Sequence, residues 1–104
     1  MSDDRFLLSD MLAAIDNIKK FKLEKASEEL KLSAMSFQLV IIGEAAGSIS
    51  EKLKIEYYHI PWQRIKDLRN FLVHQYDDIN EKVVKDIVNN HLPELHENIK
   101  KIME

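Results

Sequence analysis

The 104-residue chain has no cysteine, which excludes disulfide bonds and thiolate metal sites. Glycine and proline occur only twice each, too sparsely to supply the tight turns of a hairpin-rich β fold. No apolar run reaches the ~18 residues of a membrane-spanning helix. The start, Met1-Ser2-Asp3-Asp4, is acidic and unlike a signal peptide, so a cytoplasmic protein with no membrane partner is expected. Neither sign of charge dominates: the formal net charge of -3 argues against a protein that coats nucleic acid non-specifically, yet it permits a local basic cleft. There is no glycine-rich phosphate loop, no His-Glu-x-x-His, no EF-hand and no setting for a serine triad. His59, His91 and His96 lack metal-ligand spacing, so no metal and no cofactor are expected.

What remains is a balanced composition, 45% apolar and 32% charged, in a chain too short for two cores. A single domain over residues 1–104 is expected, all-α, as an antiparallel helical bundle of four to five helices. Leu8, Met11, Ile15 and Ile18 give a first helix, about Asp3 to Phe21, one buried stripe. The charge-rich stretch Lys22 to Lys31 is a connection, with a helix start suggested near Ser27. A second helix from Leu32 to about Leu53 is apolar on nearly every side through Phe37, Leu39, Val40, Ile41, Ile42, Ala45 and Ala46, so it belongs at the centre. Gly43 and Gly47, four apart, would permit a close helix contact there. Lys54 to Ile60 reads as a loop, and Pro61 suits the first turn of a third helix that should end near Tyr76. Asn80 can cap a fourth helix carrying Val83, Val84, Ile87 and Val88. Asn89-Asn90 interrupts it, and Pro93 opens a last helix with Leu95, Ile99 and Ile102 on one stripe.

Two charges do not fit a core-only reading. At about 100° per residue, Arg69 falls inside the apolar arc of Trp62, Ile65, Leu72 and Val73. A guanidinium there needs a partner or an interface. It is either half of a structural ion pair or a phosphate-binding group, and spacing alone does not separate the two. Glu44 lies in the apolar middle of the second helix, where it either pairs with Arg69 or faces solvent. The surrounding segment is locally basic, with Arg64, Lys66 and Arg69 against Asp67. Asn70 and His74 are four apart and share a helix face, where the amide could orient the imidazole. Arg69 and His74, five apart, point about 140° away from each other on a regular helix. Convergence on one phosphate would need a frayed helix end, a long reach by the arginine, or a second copy of the chain. A lone histidine at a helix end is otherwise usually a cap or a surface residue.

Arg69-Asn70-x-x-x-His74-x-Tyr76 resembles the R-x4-H-x-Y signature of HepT toxins in the HEPN ribonuclease superfamily. Ile41-Ile42-Gly43-Glu44-Ala45-Ala46, Ile60-Pro61-Trp62 with Leu68-Arg69-Asn70, and Leu92-Pro93-Glu94-Leu95 resemble further family segments in the same order. The resemblance covers roughly Leu7 to Ile102 and is loosest from Lys22 to Gln38. It implies a HEPN-like bundle that forms a homodimer and cuts RNA without a metal ion. It also implies a partner, a minimal nucleotidyltransferase antitoxin of the MntA type, which transfers AMP onto the motif tyrosine, here Tyr76. Arg69 and His74 would then be catalytic, with Asn70 and Glu44 supporting them. The alternative is a non-catalytic module of the same fold that binds a nucleotide or its transferase partner.

Overall fold

The structure, a computed structural model, describes residues 2–73 and 81–104. Its architecture is an all-α antiparallel bundle. Helix α1 (Ser2–Leu23) carries Asp3 and Asp4 in its first turn and Lys20 and Lys22 in its last, each sign placed to suit the helix dipole. Helix α2 (Glu28–Ser48) starts four residues before the expected Leu32. Ser27 is its cap, with the hydroxyl accepting the Leu30 N–H at 3.1 Å, and Glu28 and Glu29 fill the first turn.

The expected run of α2 to Leu53 is corrected at Ile49. That residue turns extended (φ -61°, ψ 142°) and is buried, while Ser50 caps a separate short helix, α3 (Glu51–Glu56). The break is held from outside. Asp4, near the start of α1, accepts the Ser50 N–H at 2.9 Å and the Ser50 hydroxyl at 2.6 Å. A serine whose own N–H is taken by a distant carboxylate cannot continue the α2 hydrogen-bond ladder. The stretch expected as a loop from Lys54 to Ile60 is therefore helical in its first part. It closes through Tyr57, whose carbonyl accepts both the Ile60 N–H and the Trp62 indole N–H. Ile60 and Trp62 are buried beneath that turn.

Helix α4 (Trp62–Val73) packs along α2 in the opposite direction. A Cβ built on Gly43 would collide with the Arg69 Cβ and come within 2.9 Å of the Ile65 carbonyl. The contact between the two helices is therefore a backbone approach that only glycine permits. Gly47 meets nothing stiffer than the Lys66 stem at 3.3 Å.

Helix α5 (Glu81–Asp86) leads into a π turn (Ile87–His91) and then α6 (Leu92–Met103). The expected interruption at Asn89-Asn90 is thus a widened turn and not a break. Leu92 donates its N–H five residues back, to the Ile87 carbonyl. Pro93 explains the widening: it has no N–H to give to residue 89, and its ring would crowd that carbonyl in a regular helix. The Asn90 amide bonds the Asp86 carboxylate at 2.7 Å and His91 approaches it at 3.3 Å, bracing the turn. Helix α6 lies against α1, where His96 meets Asp16 at 3.2 Å.

The core joins Leu8, Met11, Ile15 and Ile18 of α1 to Leu39, Ile42 and Ala46 of α2, and closes on Val84, Leu95 and Ile99. Helix α2 is central, as its composition requires, but it is not fully covered. Phe37 is 63% exposed and Leu30 61%, so one stripe of α2 has no partner within the chain's described residues. No described helix is long and apolar enough to cross a membrane.

Candidate active site

Helices α2 and α4 meet at Gly43, and the nearest long side chains on either side of that contact are Glu44 and Arg69. Close approach of the backbones brings these two groups together at the surface edge of the contact. Arg69 donates its Nε–H to Glu44 Oε1 at 2.8 Å, and its Nη2 lies 2.6 Å from the same oxygen. The Arg69 side chain is 32% exposed and that of Glu44 56%, so the pair sits at a wetted rim and not in the core. The apolar arc around Arg69 is real, but the guanidinium leaves it at the edge, where it is both paired and reachable.

Asn70 extends the group. Its Oδ1 accepts a hydrogen bond from Arg69 Nη1 at 3.0 Å. The Arg69 plane is thereby clamped on two sides, by a carboxylate on α2 and an amide on α4. N–H groups remain on both terminal nitrogens, in the forked arrangement that suits a phosphate or carboxylate. These residues line a shallow pocket of ≈ 250 Å³ together with Gly43, Gly47, Ser48 and Lys66.

Lys66 was legible in the sequence only as part of a basic stretch. It stands one turn before Arg69 on α4, and its stem lies across Gly47, which places a second cation at the same pocket. The i, i+3 spacing from Arg69 was the signal that could have singled it out. Ser48 has no such signal. His74 and Tyr76 lie outside the described residues. So does the expected partnership of Asn70 with His74; within the described residues the Asn70 carbonyl is turned to Arg69. Among the described residues no three His, Asp or Glu side chains gather as metal ligands.

The family model described as "Ribonuclease HepT-like" matches residues 11–102. The chain belongs to the HepT-like ribonuclease family. This HepT-like chain is 29% identical to "Probable ribonuclease HepT" of Thermococcus cleftensis, with 91% of each chain covered. It is 30% identical to a "Putative RNase" of Methanocaldococcus jannaschii, over 98% of this chain and 88% of that one. A third relative, from the same archaeon, is named "Gamma-glutamylcyclotransferase and putative RNase"; at 28% identity the match takes in 98% of this chain but only 48% of that longer protein. No solved structure matches the chain.

Proposed function

We propose that this HepT-like protein is a metal-independent endoribonuclease toxin of a type VII-like toxin–antitoxin system, a single cytoplasmic domain that acts as a homodimer. The observation that carries the reading is the clamped Arg69, held by Glu44 and Asn70 at the rim of a polar pocket with Lys66 beside it. Family membership over residues 11–102 and relatives named as ribonucleases support RNA as the substrate.

Metal-free cleavage requires a base to take the proton of the ribose 2′-hydroxyl as its oxygen attacks phosphorus. It also requires an acid to give a proton to the 5′-oxygen as the P–O5′ bond breaks, and positive charge on the crowded phosphate in between. Arg69 and Lys66 supply the charge. Histidine is the side chain whose ordinary pKa lies near neutrality, so His74 is the residue type suited to the proton transfers. One imidazole cannot stand on both sides of the phosphate, so a second copy of the chain would supply the other.

The exposed stripe of α2 suits such a copy. Leu30, Ala34, Phe37, Ile41, Glu44 and Ser48 follow one another at alternating steps of four and three, the spacing of a helix that pairs with another helix, with Ala34 and Ile41 half-buried between the exposed positions. Leu30 and Phe37 stand 61% and 63% exposed along it, and the seam runs directly into Glu44 of the proposed site. Inactivation would follow from transfer of AMP from ATP to the Tyr76 oxygen by an MntA-like nucleotidyltransferase, with pyrophosphate leaving. The added phosphate would bring negative charge and bulk to the site.

The test is RNA cleavage by purified protein in EDTA. Wild type is expected to cut, and Arg69→Ala and His74→Ala are expected to stop cleavage while keeping the helical spectrum. Full activity in both variants would overturn the proposal. Inert wild-type protein that still forms a stable complex with a nucleotidyltransferase would favour a binding module.

A further inference from the structure

On the other flank of α4 from the Glu44 pocket lies a larger cavity, ≈ 370 Å³, between α4 and the π turn with α6. Its floor is Leu39 and Ile42 of α2, both buried, and its walls are Ile65 and Leu68 of α4 with Leu92 and Leu95 opposite. The volume falls in the range of small-molecule sites, about 300–1,000 Å³, and the lining has their usual form of an apolar body with a few polar groups. On the wheel Arg64 lies about 140° from Arg69, so the two arginines serve different faces of α4.

The mouth is polar and two-signed. Arg64 stands on the α4 side, flanked by His59 and by His91 at the end of the π turn. Glu94 and Asn98 stand on the α6 side, four residues apart and on one helix face. The side chains of Arg64, Glu94 and Asn98 have no hydrogen bond or ion pair to another described residue. Arg64 and Glu94 thus bring opposite charges to one opening without neutralising each other.

We infer that this cavity binds a small zwitterion with a large apolar group, an α-amino acid of the leucine or phenylalanine kind. Its carboxylate meets Arg64, its ammonium meets Glu94 and Asn98, and its side chain lies against Ile65, Leu68 and Ile87, the half-buried apolar residues of the lining. An apolar acid would leave Glu94 beside a like charge, and an apolar amine would do the same to Arg64. A ligand carrying both charges answers both walls. Because the two charged groups are exposed, the expected affinity is modest, about millimolar.

The experiment is an NMR titration of the full chain with L-leucine and L-phenylalanine, read without RNA. Saturable shifts are expected at Ile65, Leu68, Leu92 and Leu95. Arg64→Gln and Glu94→Gln are each expected to weaken binding about tenfold. 4-Methylpentanoate, which lacks the amine, and 3-methylbutylamine, which lacks the carboxylate, are expected to bind more weakly than leucine. No saturable shift, shifts confined to other residues, or a singly charged analogue binding as tightly as leucine would each overturn the inference.

Discussion

Glu44 and Arg69 join across a helix contact that Gly43 makes possible, with one carboxylate oxygen 2.8 Å from Nε and 2.6 Å from Nη2. At this exposure the pair adds little to stability, roughly 0–1 kcal/mol. Its consequence is orientation: it fixes which edge of the guanidinium is spent on the protein and which is left for a ligand. Glu44→Gln should therefore leave the melting temperature nearly unchanged and lower RNA cleavage about tenfold. The decisive readout is the double variant. If Glu44 acts only by holding the Arg69 fork, Glu44→Gln combined with Arg69→Lys, which keeps the charge and some cleavage but loses the fork, cleaves no more slowly than Arg69→Lys alone.

The two glycines of α2 should respond oppositely to the same substitution. Gly43→Ala places a methyl against the Arg69 Cβ and the Ile65 carbonyl, 2.9 Å away, and neither can move without shifting α4. A loss of about 1–3 kcal/mol is expected. Gly47→Ala meets only the flexible Lys66 stem at 3.3 Å, and it gains helix propensity, so stability should rise by up to about 1 kcal/mol. Urea denaturation of both variants checks the pair of signs.

Asp4 ties the start of α1 to the α2–α3 break. Burial pushes its carboxyl up, but the hydrogen bonds from the Ser50 hydroxyl and N–H outweigh this and hold it below its usual range. A carboxyl lowered in the folded state stabilises the fold above its unfolded value of about 3.9 and loses that contribution as pH falls through the folded value. Asp4→Asn should cost about 1.5–3 kcal/mol at pH 7. The gap to wild type should narrow in acid, below about pH 4, as the Asp4 carboxylate is protonated. A gap that stays constant from neutral pH into acid would show that the charge of Asp4 is not what matters.

Ser36 presents the reverse case. Its hydroxyl is buried in α2 with no hydrogen-bond partner among the described residues. Replacing it with alanine removes an unsatisfied polar group and improves helix propensity. Ser36→Ala is expected to raise stability by about 0.5–1.5 kcal/mol, read as an upward shift of the thermal midpoint.

The fold was legible where one physical term dominated. Leu8, Met11, Ile15 and Ile18 mark the buried stripe of α1 by spacing alone, and the apolar content of α2 marks it as central. Sequence spacing placed Glu44 and Arg69 as possible partners, and the close approach at Gly43 is what brings them within bonding distance. The failures arose where hydrogen bonding or packing overrode local propensity. Nothing within α2 stops the helix at Ser48; the Asp4 carboxylate does so by taking the Ser50 N–H. Asn89-Asn90 looked like a break because the pair are poor helix formers, yet Pro93 and the Asp86 hydrogen bonds turn the same stretch into a π turn. Phe37 read as core because composition cannot reveal that one stripe of a central helix is left without a cover. The Arg69 pocket could be anticipated as chemistry, but not as the clamp by Asn70, which depends on the rotamer of a neighbour and not on spacing.

The α2 seam can be probed independently of any activity. Phe37→Glu replaces an exposed phenylalanine, so the monomer fold should survive. Sedimentation should show wild type as a dimer and the variant as a monomer with reduced RNA cleavage. A monomeric wild type, or a variant that stays dimeric, would remove the seam from the proposal.

End-group analysis of RNA cut by the wild-type protein in EDTA tests the proposed chemistry most directly. Attack by the neighbouring 2′-hydroxyl must leave a 2′,3′-cyclic phosphate on one fragment and a free 5′-hydroxyl on the other, and Arg69→Ala must abolish both. Fragments with 3′-hydroxyl and 5′-phosphate ends, or cleavage that appears only when a divalent ion is restored, would contradict a metal-independent site built on Arg69, Lys66 and His74.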